Sequence, residues 1–208
     1  MKKILAHSCA LVFIPHHSSL ITHPFSMFGF KEWTLICDAL GLGQQSIILR
    51  KGGIAEGRAG FRFQHDEFLL FPTLFHEQVS KLKLPSTTAL PAARDDGQIE
   101  IRYRVKVEWT RDVADWETVQ RLAPLHLWQQ SEIEKRFRQD DQPGVSLAFV
   151  RTSRLSHPFV FPDAPGYGGC RSWVKLPELP ADITANPVLD DAVHRERERQ
   201  LKAMLGEE

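Results

Sequence analysis

The sequence predicts an α+β domain: a mixed, mainly antiparallel sheet with several short helices packed around it. Two patterns carry that expectation. Ile99, Ile101, Tyr103, Val105 and Val107 alternate with Glu100, Arg102, Arg104, Lys106 and Glu108, the period-two signature of a strand with one face in a core. Around this strand, short stretches of helical spacing and of β-type composition take turns, separated by glycine, proline and capping residues. Apolar residues fill 42% of the 208 positions and charged residues 25%, a balance that lets one ordinary domain bury a core without disulfide or metal staples.

Taken in order, Trp33, Ile36, Cys37 and Leu40 predict an amphipathic helix from Lys31 to Leu42, stopped by Gly41 and Gly43. Ser46 to Leu49 reads as a buried strand that runs into Arg50-Lys51-Gly52-Gly53, where glycine permits positive φ and close approach of a ligand. A glycine- and charge-rich loop continues to Gly60. Phe61, Phe63, His65 and Glu67 then alternate with Arg62, Gln64, Asp66 and Phe68. Either a strand ends near Gln64, or His65 and Glu67 share a face with the two phenylalanines.

Thr73, after Pro72, is the expected N-cap of a helix with His76 and Glu77 in its first turn. Pro85 to Gly97 reads as a surface loop, and the alternating strand follows. Helices are expected from Val113 to Leu122 and, opened by a Ser131-x-x-Glu134 capping box, up to Arg138. Val145 to Leu155 reads as a strand, and Pro162 to Gly169 as a turn-rich loop before Ser172-Trp173-Val174. From Pro177 prolines lead to alternating arginine and glutamate between His194 and Arg199, read as a solvated helix. The chain thus divides into an N-terminal extension over 1–29, one domain over 30–176, and a linker with a charged helix over 177–208.

Acids and bases balance at 26 each, so any attraction for a polyanion has to come from a local patch. Cys9, Cys37 and Cys170 are odd in number and widely spaced, which argues against a disulfide framework or a clustered zinc site. The start, Met1-Lys2-Lys3 and then Ile4 to Ile14, imitates a signal peptide, but His7 interrupts the run and no Ala-x-Ala pattern follows. It also falls well short of the about 20 apolar residues a membrane span needs. The reading that follows is a start at Met27 and a cytoplasmic protein with no membrane partner.

Three sets of residues are candidates for chemistry. Arg50, Lys51, Gly52 and Gly53 form a basic glycine loop suited to an anion such as phosphate, without the spacing or hydroxyl of a Walker loop. The plainer reading is a turn with glycines chosen for geometry. His65, Glu67 and His76 have the side-chain types of a divalent-metal site that activates water, although their spacing matches no established signature. Equally, Glu67 and His76 fit as partners of nearby backbone groups. Arg102, Arg104 and Lys106, with Arg62 on a neighbouring segment, make a stripe that would follow a nucleic-acid backbone, unless Glu100 and Glu108 neutralise it. Trp128 and Trp173 read as core or interface anchors rather than base-stacking residues. Ser172 beside Cys170 has no nucleophile elbow and no identifiable base.

Several ordered stretches resemble a bacterial family catalogued as domain of unknown function 1802: Glu32-Trp33, Ile48 to Ile54, Glu67 to Thr73 with His76, Leu127-Trp128, and Gly169 to Val174. The resemblance covers about Phe30 to Leu176. It assigns no activity, but the association of such domains with restriction-type nucleases implies a recognition module in a restriction–modification or defence context. The leading expectation is therefore a non-catalytic module for DNA or another nucleic acid. The alternatives are a small metal-dependent hydrolase acting on a phosphorylated substrate, and a protein-interaction domain presenting Trp128 and Trp173.

Overall fold

The alternation read over Ile99 to Glu108 is realised inside a longer strand, β4 (Gln98–Val113), which runs antiparallel to an equally extended partner, β5 (Val145–Pro162). The computed structural model describes residues 27–51, 61–85, 87–92 and 94–207. The expectations placed on the segment up to residue 26, on Cys9, and on Gly52 and Gly53 lie outside the described residues. Before the long pair come β1 (Phe28–Trp33), α1 (Thr34–Gly41), β2 (Ile47–Arg50), β3 (Glu67–Thr73) and α2 (Gln78–Lys81). Between its two strands lie α3 (Trp116–Arg121) and α4 (Gln130–Phe137), and after it β6 (Trp173–Lys175), β7 (Ala185–Pro187) and α5 (Asp191–Met204).

The described strands form one sheet in the order β2-β5-β4-β3-β1-β6, with β7 paired to β5. Only the β1–β3 pairing is parallel, so the sheet is mixed and mainly antiparallel, as the sequence predicts. Strand β3 carries the unbroken apolar run Phe68-Leu69-Leu70-Phe71 because both of its faces are covered. Phe68 and Leu70 join the larger core with Phe30, Trp128 and Phe149, while Leu69 and Phe71 join a smaller one with Ile101, Phe159, Phe161 and Val174. Helix α1 closes the larger core with Leu35, Ile36, Cys37 and Leu40. Its last residue is held to glycine by contact, since a Cβ on Gly41 would lie 2.1 Å from the Tyr103 ring.

The local expectations fail at several places, among them Val113, which ends β4 before α3 begins at Trp116. Helical spacing holds from Thr34 onward, but Lys31 to Trp33 belong to β1, where Phe30 and Glu32 share the buried face. Thr73 does not cap a helix: it ends β3, and α2 starts only at Gln78, so His76 and Glu77 precede it. Parallel pairing of Glu32 with Pro72 and Trp33 with Thr73 keeps that segment extended. The Ser131 capping box is not formed, because α4 begins at Gln130 behind Gln129 and Ser131 already lies inside it. Phe61 to His65 form no strand, and regular pairing begins at Glu67.

Helix α5 has the predicted charge alternation, but it is solvated on one side only. Leu201 is fully buried and Leu205 nearly so in the larger core, and Trp109 Nε1 donates to Glu198 at 3.0 Å. Among the described residues no helix is long and apolar enough to cross a membrane. Because Leu201 fills space against the sheet, Leu201→Ala is expected to destabilise the protein by about 2–5 kcal/mol. Urea unfolding would show this as a lower midpoint at unchanged slope, and a loss within experimental error would mean that α5 is merely appended.

Candidate functional site

Strands β1 and β2 stand far apart in the sheet order, yet their ends meet. The Arg50 guanidinium donates to the Lys31 carbonyl at 2.7 Å, lies over the Phe30 ring at 4.8 Å, and approaches the Glu32 carboxylate at 3.8 Å. The sheet therefore curls until its β2 edge comes back to β1, where one arginine bridges the two strands. Glu32 is 1% exposed, an unusual place for a carboxylate. Its Oε1 accepts from the Trp33 N–H at 2.8 Å, and its main-chain carbonyl accepts from the Thr73 hydroxyl at 3.0 Å.

A second guanidinium completes the cluster. Ile133, Arg136 and Phe137 share the inward face of α4, which sets Arg136 at 3.8 Å over the Trp128 ring and 5.5 Å from that of Trp33. No ion pair to Arg136 is formed among the described residues. Burial and the neighbouring Arg50 charge bring its pKa down to about 10, with Glu32 and Glu132 pulling the other way. Two cations thus face one buried carboxylate, between faces of tryptophan and phenylalanine. Outside them, Trp33 is half-buried and its ring lies 5.4 Å from that of Phe75, which is 37% exposed and has the Lys81 ammonium 5.0 Å above it.

Chemically, a guanidinium held 3.8 Å over an indole has its position restricted by the ring, and a second guanidinium beside it supplies the excess charge that a phosphate or carboxylate would neutralise. The network around Thr73 makes the cradle rigid. Thr34 Oγ1 donates to the Thr73 carbonyl at 3.1 Å, Gln78 Nε2 donates to the same oxygen at 2.7 Å, and Gln78 Oε1 accepts from the Leu35 N–H at 3.3 Å.

The residues singled out in the sequence fall in different places. Arg50 is in the cluster, but Lys51 turns toward the end of α4, pairing with Asp140 at 2.8 Å and donating to the Gln142 carbonyl. His65, Glu67 and His76 are not brought together. His65 stacks on Phe28 with centroids 3.7 Å apart and meets Trp173 edge-on at 4.9 Å, burial lowering its pKa. Glu67 pairs with Arg104, and His76 is exposed in the turn after β3. Among the described residues no three His, Cys, Asp or Glu side chains are placed to hold a metal ion. On the basic stripe Arg102 pairs with Glu100, Arg104 with Glu67, and Lys106 with Glu108 at 3.7 Å, while Arg62 is exposed. Trp128 is buried and offers no exposed ring, and Trp173 packs on Phe30 and Phe68.

Sequence reasoning missed Glu32 and Arg136 as site residues. The first was legible as the third member of Phe28-x-Phe30-x-Glu32, and the second from its place at helical spacing between Ile133 and Phe137.

The domain defined so far is a curled mixed sheet with an inward-facing arginine pair set among tryptophans. Residues 29–200 match the family described as Domain of unknown function (DUF1802), and the chain belongs to that family. Glu32, Trp33, Arg50, Thr73 and Trp128, which carry the resemblance from separate parts of the sequence, converge on this cluster. No curated protein matches the sequence. Among solved structures, the crystal structure of ASCH from Zymomonas mobilis is similar over 86% of this chain and 94% of that chain, at 10% identity and a TM-score of 0.40.

Two outcomes test this geometry. Glu32→Gln removes the buried carboxylate that faces both guanidiniums, and should destabilise the fold by about 3 kcal/mol or more. Added phosphate should restore part of the loss in chemical denaturation, and an unchanged midpoint would show that Glu32 is not what steadies the pair. His126, beneath Trp128, accepts from the Trp128 N–H at 3.1 Å and is held neutral by burial and by Lys83, its pKa lowered to about 3. Since the folded value lies below the unfolded one, its contribution is complete above about pH 6.5 and is lost as pH falls toward about 3, at about 1.4 kcal/mol per pH unit. His194, also lowered by burial, adds to the same acid limb. His126→Gln keeps an acceptor without the titration, so its stability should fall less steeply over this range.

Proposed function

We propose that the protein is a non-catalytic nucleic-acid-recognition module, in which Arg50 and Arg136 seat a backbone phosphate and Trp33 with Phe75 offers a face on which a base stacks. One observation carries the reading: a second guanidinium is held near Arg50, against their mutual repulsion, on an aromatic platform and with Glu32 as the buried carboxylate that acts on both. Phosphate contacts of this kind give affinity and salt dependence, and stacking on aromatic faces tolerates any base. The stripe of Arg62, Arg102, Arg104 and Lys106 is a second basic surface, but three of its four cations already have acidic partners, so it supports the reading less well.

The finer expectation, DNA in a restriction–modification or defence context, follows from the family resemblance and not from the geometry. Duplexes and single strands of DNA and RNA, with and without modified bases, would separate these partners.

Fluorescence anisotropy with labelled oligonucleotides at stepped salt tests the proposal. Affinity should fall steeply as salt rises, and Arg136→Gln should weaken binding about 10- to 100-fold, the scale of a lost charge-assisted hydrogen bond. Charge reversal at Arg102 and Arg104 should cost less than that. No binding to any nucleic acid at low ionic strength would overturn the reading, and a larger loss from the strand-face variants would move the interface to β4.

A further inference from the structure

The basic residues of α5 have acidic partners, with one exception. Arg199 pairs with Glu196, Lys202 pairs with Glu198 at 2.9 Å, and Arg195 acts on Asp191 one turn before it. Arg197 has no such neighbour. The positions three and four residues away are Val193, His194, Gln200 and Leu201, and the adjacent Glu196 and Glu198 do not face it on a helix. Its guanidinium turns toward the sheet instead, where Nη1 donates to Ser46 Oγ at 3.3 Å, and it forms no ion pair among the described residues.

That contact lies in a cavity of about 180 Å³ between α5, the connection from α1 to β2, and the turn that follows α3. Sites for drug-sized ligands begin at about 300 Å³, so the occupant is small. Ser46 is buried and lies at the floor, Leu125 is half-buried, and Gln44, Pro124 and Gln200 are exposed at the mouth. Among the described residues no carboxylate lines the space, and its one charge is that of Arg197. Burial lowers the pKa of that group, with no opposing pull from an acid.

The hydrogen-bonding groups agree in kind with this charge. Most N–H donors of Arg197 are unused, and the Ser46 hydroxyl, which accepts from Arg197, keeps its own proton to donate. Gln200 Nε2 donates to Glu196 at 2.8 Å and has a second proton to give, as does the Gln44 amide across the mouth. A cation would meet no carboxylate here, and a neutral molecule would leave the guanidinium uncompensated. Donors reach the space from two facing elements, which suits a tetrahedral anion with oxygens on both sides. We infer that this cavity is a second anion site, in which Arg197 and Ser46 bind a small phosphate-type oxyanion, either free or as the terminal group of a monoester. Ser46 precedes β2 and Arg50 ends it, so the site is distinct from the Arg50–Arg136 cluster, and its ligand would fasten α5 to the sheet.

Nuclear magnetic resonance of the full chain, titrated with inorganic phosphate at an ionic strength held constant with chloride, tests the assignment. The Arg197 Nε–H signal, identified by its absence from Arg197→Gln, and the Ser46 amide signal should shift and saturate at millimolar phosphate. Arg197→Gln should weaken the Ser46 response by about tenfold or more, the scale of lost charge-assisted hydrogen bonds, whereas Arg136→Gln should leave it unchanged. Ser46→Ala keeps the arginine and should weaken binding about 2- to 10-fold, which guards against a misfolded variant at position 197. Glycerol phosphate distinguishes the two sources: tighter binding than inorganic phosphate assigns a monoester, and weaker binding assigns the free ion. A shift that does not saturate, an equal shift with chloride alone, or an undiminished Ser46 response in Arg197→Gln would overturn the inference. So would saturation by an oligonucleotide without terminal phosphate but not by inorganic phosphate. Because Arg136→Gln is the variant that tests the nucleic-acid reading, the two results can fail independently.

Discussion

One interaction bridges β2 and β1 across the curled sheet: the clasp of Arg50 on the Lys31 carbonyl and the Glu32 carboxylate. A twisted sheet of this order would otherwise leave an open seam between β2 and β1. A buried arginine–carboxylate pair is an expensive way to fill a seam, because both charges lose their hydration and the attraction between them only partly offsets the loss. An apolar pair would have closed the same gap more cheaply. A charged pair stands there instead, with Arg136 added on the Trp128 face, and that excess of positive charge is what the proposed phosphate contact would use.

The rest of the domain serves to keep that site in place. Parallel pairing with β3 fixes Glu32 and Trp33 opposite Pro72 and Thr73, and Gln78 ties the start of α1 to the end of β3 through both of its amide atoms. Helix α4 contributes Arg136 only because Ile133 and Phe137 anchor the same face in the core. Beyond β3, Phe75 packs on Trp33 and extends the aromatic face beside the cluster.

How much of this was legible depends on how local each determinant is. Strand β4 was readable because alternation from Ile99 to Val107 is a property of adjacent residues, and the class of the fold followed from it and from the short helical stretches. The start of the domain misled, because Trp33, Ile36, Cys37 and Leu40 carry a true helical spacing whose first member belongs to the preceding strand. That one misreading hid Glu32, whose burial depends on β1 having period two. The trio His65, Glu67 and His76 was assembled by residue type and proximity in sequence, and tertiary contacts with Phe28 and Arg104 dispersed it. Arg136 sits on a short helix as an ordinary charged residue, and only its distant partner Trp128 gives it meaning.

Helix α5 follows every strand it covers, and that order has a consequence for how the chain emerges from the ribosome. Until Leu201 and Leu205 arrive, the side of the sheet around Phe149 and Trp109 is bare and sticky, although the arginine clasp can already be in place. The nascent domain therefore passes through a stage in which the half around Arg50 is assembled and its back is open, a stage at which aggregation competes with the last docking step. The alternating arginines and glutamates on the outer side of α5 keep that late segment dissolved while it searches for its berth.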